Sequence, residues 1–206
     1  MKITKMRVEN FRLLKSFELD LEKELSLVIG KNNCGKTSLL SILDKFIGSK
    51  AGSNAITLDD FNIDFQKELK GLLESGMEEA DETYLNSTLG ISLFIFIEYD
   101  KSDNLSNISR LMLDLDPNNN IIALKFEYKL STEDFRKMRL EYIEYKDNYK
   151  LSPDHISEFM KANYRRFFRL YKRSIGFDVK TSTVNENEYI DLVKEKIVLY
   201  RPQLRS

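Results

Sequence analysis

The stretch Gly30-Lys31-Asn32-Asn33-Cys34-Gly35-Lys36-Thr37 decides the fold, because it matches the pattern G-x-x-x-x-G-K-[ST]. Its two glycines permit a backbone path that wraps consecutive N–H groups around an anion. Lys36 supplies a mobile cation for the β- and γ-phosphates, and the Thr37 hydroxyl is a suitable magnesium ligand. The stretch therefore predicts a loop that binds a nucleoside triphosphate, ATP with Mg²⁺, with Lys36 as the candidate catalytic residue.

The residues on either side of this loop support the same interpretation. A short apolar strand at 25–29 leads into Gly30, and apolar residues spaced by three and four predict an amphipathic helix over 36–47. A bare glycine turn between a strand and a helix would not need Lys-Thr at the helix start. Cys34 is either a small loop residue or a regulatory thiol. The residues predicted to bind the nucleotide are Gly30, Cys34, Gly35, Lys36, Thr37 and Ser38.

The remaining periodicities predict an α/β protein of one domain, with leading antiparallel strands and a helical segment. Residues 1–50 would form the P-loop core, 51–150 a β-rich lobe with an acidic loop, and 151–206 the helical segment. The predicted strands lie within 1–29 and at 91–99 and 121–130. The predicted helices are a short one around Phe65, one at 131–145 and one from Ser152-Pro153-Asp154 to Arg173, and the segment 190–200 is predicted as a helix or a strand. An acidic loop is predicted at 76–83, and a polar loop after the helix that ends at Arg173.

Composition excludes several classes of protein. Lys and Arg number 32 against 33 Asp and Glu, a net charge of -1, so global charge does not demand nucleic acid or a membrane. The single cysteine permits no internal disulfide, which suits a reducing cytoplasm. No apolar run approaches the ~18 residues of a membrane span. We therefore expect a cytoplasmic protein without a membrane segment.

Residues 159–175 contain a run of basic residues with no acid among them. Apolar residues at helical spacing predict one amphipathic helix that buries its aromatic rings and presents a cationic face. Two interpretations stay open, phosphate contacts to DNA or a solvated face that pairs with acidic segments. The candidate nucleic-acid contacts are Arg165, Arg166, Arg169, Lys172 and Arg173.

The opening of the chain resembles a known group of ATPases. The "ENFR" turn at 9–12, the alternation over 17–21 and the run "LVIGKNNCGKTSLLSIL" at 27–43 resemble the N-terminal half of an ABC-type ATPase head of the RecF/SMC group. The likeness extends to OLD-family ATP-dependent endonucleases and covers residues 1–47. It implies a mixed sheet, ATP-dependent dimerisation of heads, slow hydrolysis and DNA as a partner.

The same resemblance adds three residues to the candidate nucleotide site. It implies that Asn32 and Asn33 shape the loop, and it places Arg12 where such ATPases have a basic residue near the nucleotide. For Arg12 the alternative is a solvated arginine in a turn.

Two elements of such heads are missing from the sequence, which contains neither a Ser-Gly-Gly signature nor a Walker B strand that ends in Asp-Glu. Leu93–Ile97 before Glu98, and Leu111–Leu113 before Asp114, either imitate Walker B or are ordinary strands of an antiparallel lobe. The resemblance implies an incomplete head that lacks the C-terminal half of the ATPase; in OLD nucleases a Toprim nuclease domain follows.

We expect the ATP-binding domain of a DNA-processing, repair or anti-phage defence ATPase. The alternative is a non-catalytic, nucleotide-regulated protein-interaction module.

Overall fold

The computed structural model describes residues 1–22, 24, 26, 31, 35–48, 51–52, 55–75, 84, 90–100, 102–104, 106, 108–113, 119–148 and 155–193. The strands are β1 (Lys2–Phe11), β2 (Leu14–Asp20), β3 (Gly90–Glu98), β4 (Ile121–Lys129), β5 (Arg169–Asp178) and β6 (Thr183–Asp191). The helices are α1 (Lys36–Phe46), α2 (Ile63–Glu74), α3 (Thr132–Asn148) and α4 (His155–Phe167), with 3₁₀ turns at Leu58–Asp60 and Ser109–Leu111.

The six strands form one sheet in the order β2-β1-β3-β4-β5-β6. Every pairing among the described residues is antiparallel, whereas a mixed sheet was expected. The tight turn between β1 and β2 places Phe11 opposite Leu14, and such short connections join only antiparallel neighbours. The strand expected at 25–29 lies almost wholly outside the described residues. Segments 1–50, 51–150 and 151–206 each contribute two strands to this sheet.

The helices share one core with a single face of the sheet. Leu93 and Ile95 of β3 belong to the core cluster that contains the helices, while Phe94 and Phe96 belong to a smaller cluster of strand residues. Side chains alternate between the two faces along a strand, so the two clusters lie on opposite faces. The main core is rich in aromatic rings, among them Phe46, Phe61, Phe65, Phe126, Tyr128 and Phe168.

Most of the predicted elements are confirmed, namely the strands of residues 1–20, β3 and β4, and the helices α1, α2 and α3. The acidic loop at 76–83 and the helix start at Ser152-Pro153-Asp154 lie outside the described residues. None of the helices in the described ranges combines the length and the apolar character that crossing a membrane requires.

The prediction of one basic amphipathic helix over residues 159–175 was wrong. Helix α4 ends at Phe167, its last bond runs from Phe168 N–H to the Tyr164 carbonyl at 2.9 Å, and Arg169 begins β5 opposite Lys129. Segment 151–206 is therefore not helical throughout, because it supplies two strands after α4. The polar loop expected after Gly176 was also wrong, because Thr183–Asp191 forms the edge strand β6.

Candidate functional site

The start of helix α1 has the geometry of an anion-binding helix terminus. Gly35 precedes the helix with φ 95°, and the first helical bond runs from Leu39 N–H to the Gly35 carbonyl at 3.1 Å. The amides of residues 36–38 come before that bond and point toward the N-terminal end. The first turn of α1 contains no acidic residue. The positive end of the helix dipole is therefore not neutralised by its own side chains.

Lys36 lies across the loop that precedes α1. Its ammonium donates a hydrogen bond to the backbone carbonyl of Lys31 at 2.7 Å. Thr37 is exposed in the first turn and Ser38 is buried, so the three side chains of the Lys-Thr-Ser run occupy different depths. The structure thus brings Gly35, Lys36, Thr37 and Ser38 together at the helix start. Gly30, Asn32, Asn33 and Cys34 lie outside the described residues.

Thr37 is the one predicted metal ligand of the motif. Its exposed hydroxyl in the first turn is the type of donor that Mg²⁺ accepts beside phosphate oxygens. Within the described ranges, no group of three or more His, Cys, Asp or Glu side chains is placed to hold a metal ion.

Arg12 forms part of a buried charge network. It occupies the β1–β2 turn with φ 49°, and its Nε and Nη2 lie 3.0 and 2.9 Å from Asp60 Oδ1. Asp60 is 1% exposed, and its Oδ2 lies 2.8 Å from Lys45 Nζ near the end of α1. Arg12 does lie in the turn with a 36% exposed side chain, but its guanidinium is also bound side-on to a buried carboxylate, and its place near the nucleotide stays a prediction.

The pKa of Asp60 reflects two opposed effects. Burial of the carboxyl group raises the pKa, but the hydrogen bond and charge of Lys45 and the hydrogen bonds from Thr57 outweigh it, so the pKa lies below its usual value. Asp60 was missed from the sequence. The available signal was the spacing from Thr57 to Asp60, which forms a capping box around the 3₁₀ turn.

The first of the two segments that imitate Walker B ends far from the β1–β2 turn. Glu98 pairs with Lys2 at 2.6 Å, at the end of β1 remote from the Arg12 turn. Lys2 and Phe11 are nine residue steps apart along β1, about 30 Å. The ordinary antiparallel strand is thus confirmed for β3. The prediction of a strand at Leu111–Leu113 was wrong, because Ser109–Leu111 is a 3₁₀ turn. Asp114, which follows it, lies outside the described residues.

The basic residues of α4 make local contacts. Arg165 Nε donates to the Tyr164 hydroxyl at 2.8 Å, and Arg166 holds both carboxylate oxygens of Glu141 at 2.9 and 3.2 Å. Both arginines are exposed, but Arg166 is already engaged by a carboxylate of α3.

The basic residues of β5 are divided between the two faces of the sheet. Lys172 Nζ donates to the Phe46 carbonyl at 3.3 Å on the helix side, and Arg173 Nη1 donates to Glu127 at 3.4 Å on the other side. Arg169 is exposed and lies 4.0 Å from Asp134. The five candidate nucleic-acid contacts consequently do not share one helical face.

Two comparisons with known proteins agree with this geometry. The model of the AAA ATPase domain family matches residues 1–201. Endonuclease GajA of Bacillus cereus (strain HuB5-5) is 30% identical over 121 residues, which cover 57% of this chain and 17% of that protein. The aligned part is thus about a sixth of the relative's length. The match to the family model spans nearly the whole sequence and includes the loop and helix α1. The chain therefore belongs to the AAA ATPase domain family, whose members bind nucleotides.

Proposed function

We propose that residues 1–206 form one ATPase domain that binds ATP with Mg²⁺ at the loop ending in Lys36 and Thr37. The observation that carries the proposal is the start of α1. A left-handed glycine, a helix end without an acidic residue and an ammonium resting on the loop converge there. An anion of high charge density is the ligand that such a terminus favours.

The contact between Lys36 and the Lys31 carbonyl suggests how binding proceeds. The ammonium exchanges its hydrogen bond to the neutral Lys31 carbonyl for charge-assisted hydrogen bonds to phosphate oxygens, which are shorter and stronger. The buried Ser38 hydroxyl would bond the α-phosphate, and Thr37 would hold the magnesium ion. Bound Mg²⁺ neutralises charge on the transferring phosphoryl group. In hydrolysis, the role of Lys36 is to stabilise the negative charge on the phosphoryl oxygens while water attacks.

The wider role follows from the relative. Endonuclease GajA is named for cleavage of nucleic acid, and more than half of this chain aligns with it. We therefore assign this domain to a DNA-processing or anti-phage defence ATPase related to the OLD family, with DNA as a partner and ATP-dependent pairing of two heads in the cytoplasm. Arg165 and Arg169 remain proposed DNA contacts because both are exposed and, unlike Arg166, neither is bound by two carboxylate oxygens.

Light scattering tests the ATP-dependent pairing. With Mg²⁺ and a non-hydrolysable ATP analogue the mass of the wild-type chain should double, and Lys36→Ala should stay at its starting mass. ATP turnover by the chain alone should be very slow. Fast turnover by a monomer would contradict the proposal. Capture of a protein partner that ignores both ATP and Lys36→Ala would favour the non-catalytic interaction module instead.

A further inference from the structure

A recess lies beside the β1–β2 turn, between α2 and α4. Its volume is about 640 Å³, and its described lining contains three cationic side chains, Arg12, Lys70 and Lys161, against one carboxylate, Asp59. The excess of positive charge suits an anionic ligand. Among the loop residues that the structure describes, neither Lys31 nor any residue from Gly35 to Ser38 lines it.

Arg12 is held rigidly at the edge of this recess. One edge of its guanidinium is bound by Asp60, its backbone N–H donates to the Asp60 carbonyl at 2.8 Å, and Asn62 Nδ2 donates to its carbonyl at 2.6 Å. Because Asp60 also binds Lys45, two cations face one carboxylate and a net positive charge remains. A pre-organised guanidinium loses little entropy when it binds a phosphate.

The opposite wall continues the positive charge along α4. The ammonium of Lys70 donates to the hydroxyl of Ser157, which joins α2 to α4 at the recess. Lys161 follows Ser157 by one helical turn, and Arg165 follows Lys161 by another; both are exposed. Residues four apart share one side of a helix, so the two cations form a row about 6 Å long that extends beyond the recess.

Two exposed apolar side chains also line the recess. Leu13 at the tip of the turn is 64% exposed, and Ile63 at the start of α2 is 60% exposed. Apolar side chains next to cations suit a ligand with both charged and uncharged surfaces, such as sugars and bases beside their phosphates.

We infer that the recess and the adjoining row Lys161–Arg165 bind the phosphate backbone of DNA. This inference rests on the proposed function in taking DNA as the partner. It assigns the contact to Arg12, Lys70, Lys161 and Arg165, and it leaves Lys172 and Arg173 to their contacts within the sheet.

Fluorescence anisotropy with a labelled DNA oligonucleotide tests the inference. Lys161→Glu is compared with Lys67→Glu, an identical charge change at an exposed position of α2 outside the recess. We expect Lys161→Glu to weaken binding about tenfold and to flatten the salt dependence of the affinity, while Lys67→Glu stays within about twofold.

Calorimetry with ATP on the same samples separates this inference from the proposed function. Unchanged ATP affinity in Lys161→Glu, together with weaker DNA binding, supports a DNA site distinct from the nucleotide loop. Equal effects of the two substitutions on DNA, or no DNA binding by a wild type that binds ATP, would overturn the DNA site alone. An equal loss of ATP and DNA affinity in Lys161→Glu would assign the recess to the nucleotide.

Discussion

Gly35, the residue that precedes helix α1, lies close beside Leu14, the first residue of β2. A Cβ atom on Gly35 would lie 2.8 Å from Leu14 Cδ2, and the φ of Gly35 is 95°. The position therefore requires glycine for two separate reasons, a left-handed backbone and a close approach. This contact seats the start of the P-loop helix against the β1–β2 hairpin.

Gly35→Ala should lower the free energy of unfolding by about 2–4 kcal/mol, since strain and overpacking add. Urea denaturation measures the change. The matched control is Gly71→Ala, where nothing lies within 4 Å of an added Cβ on helix α2. That substitution should raise stability by about 0.5–1 kcal/mol. Equal stability of Gly35→Ala and wild type would refute the close contact with Leu14.

Asp60→Asn should make the free energy of unfolding less dependent on pH in the acidic range. The folded-state pKa of Asp60 lies below its unfolded value, so the ionised group stabilises the fold above about pH 4, and this contribution is lost as the pH falls through the folded pKa. The stability difference from wild type should be about 2 kcal/mol at pH 7 and should shrink below pH ~4. Asp59→Asn, at the exposed neighbour, serves as the control and should cost little. A difference that is constant from pH 7 to pH 2 would count against the Asp60 network.

Lys172→Ala should destabilise the fold although Lys172 was expected to face DNA. Its ammonium donates to the Phe46 carbonyl at the end of α1, where a cation also complements the helix dipole. The loss should be about 1 kcal/mol by thermal or urea unfolding. Arg165→Ala, at an exposed position of α4, should change stability by less than about 0.5 kcal/mol. Similar losses in both variants would mean that Lys172 has no special structural role.

The sequence predicts those elements whose apolar periodicity fits only one type of secondary structure. Helix α1 follows from apolar residues three and four apart, and β3 follows from an apolar run of strand length. The motif also predicts that Lys36 and Thr37 open a helix, since their chemistry requires it.

Other features depend on contacts distant in sequence. The aromatic stripe from Met160 to Ile175 fits a helical period, yet pairing with β4 converts its second half into β5. Strand β6 is exposed along most of its length, so it carries no apolar alternation to detect. The bond between Arg12 and Asp60 joins residues 48 apart, and no local pattern encodes such a pairing.

Titration calorimetry of ATP with Mg²⁺ into three forms of the chain tests the nucleotide site most directly. Lys36→Ala and Lys31→Ala remove the same charge from one loop, but only Lys36 occupies the phosphate-binding position of the motif. We predict saturable binding by wild type, nearly unchanged affinity in Lys31→Ala, and a loss of about 10–100-fold in Lys36→Ala. Absence of binding heat in folded wild type, or equal affinities in all three forms, would contradict the account.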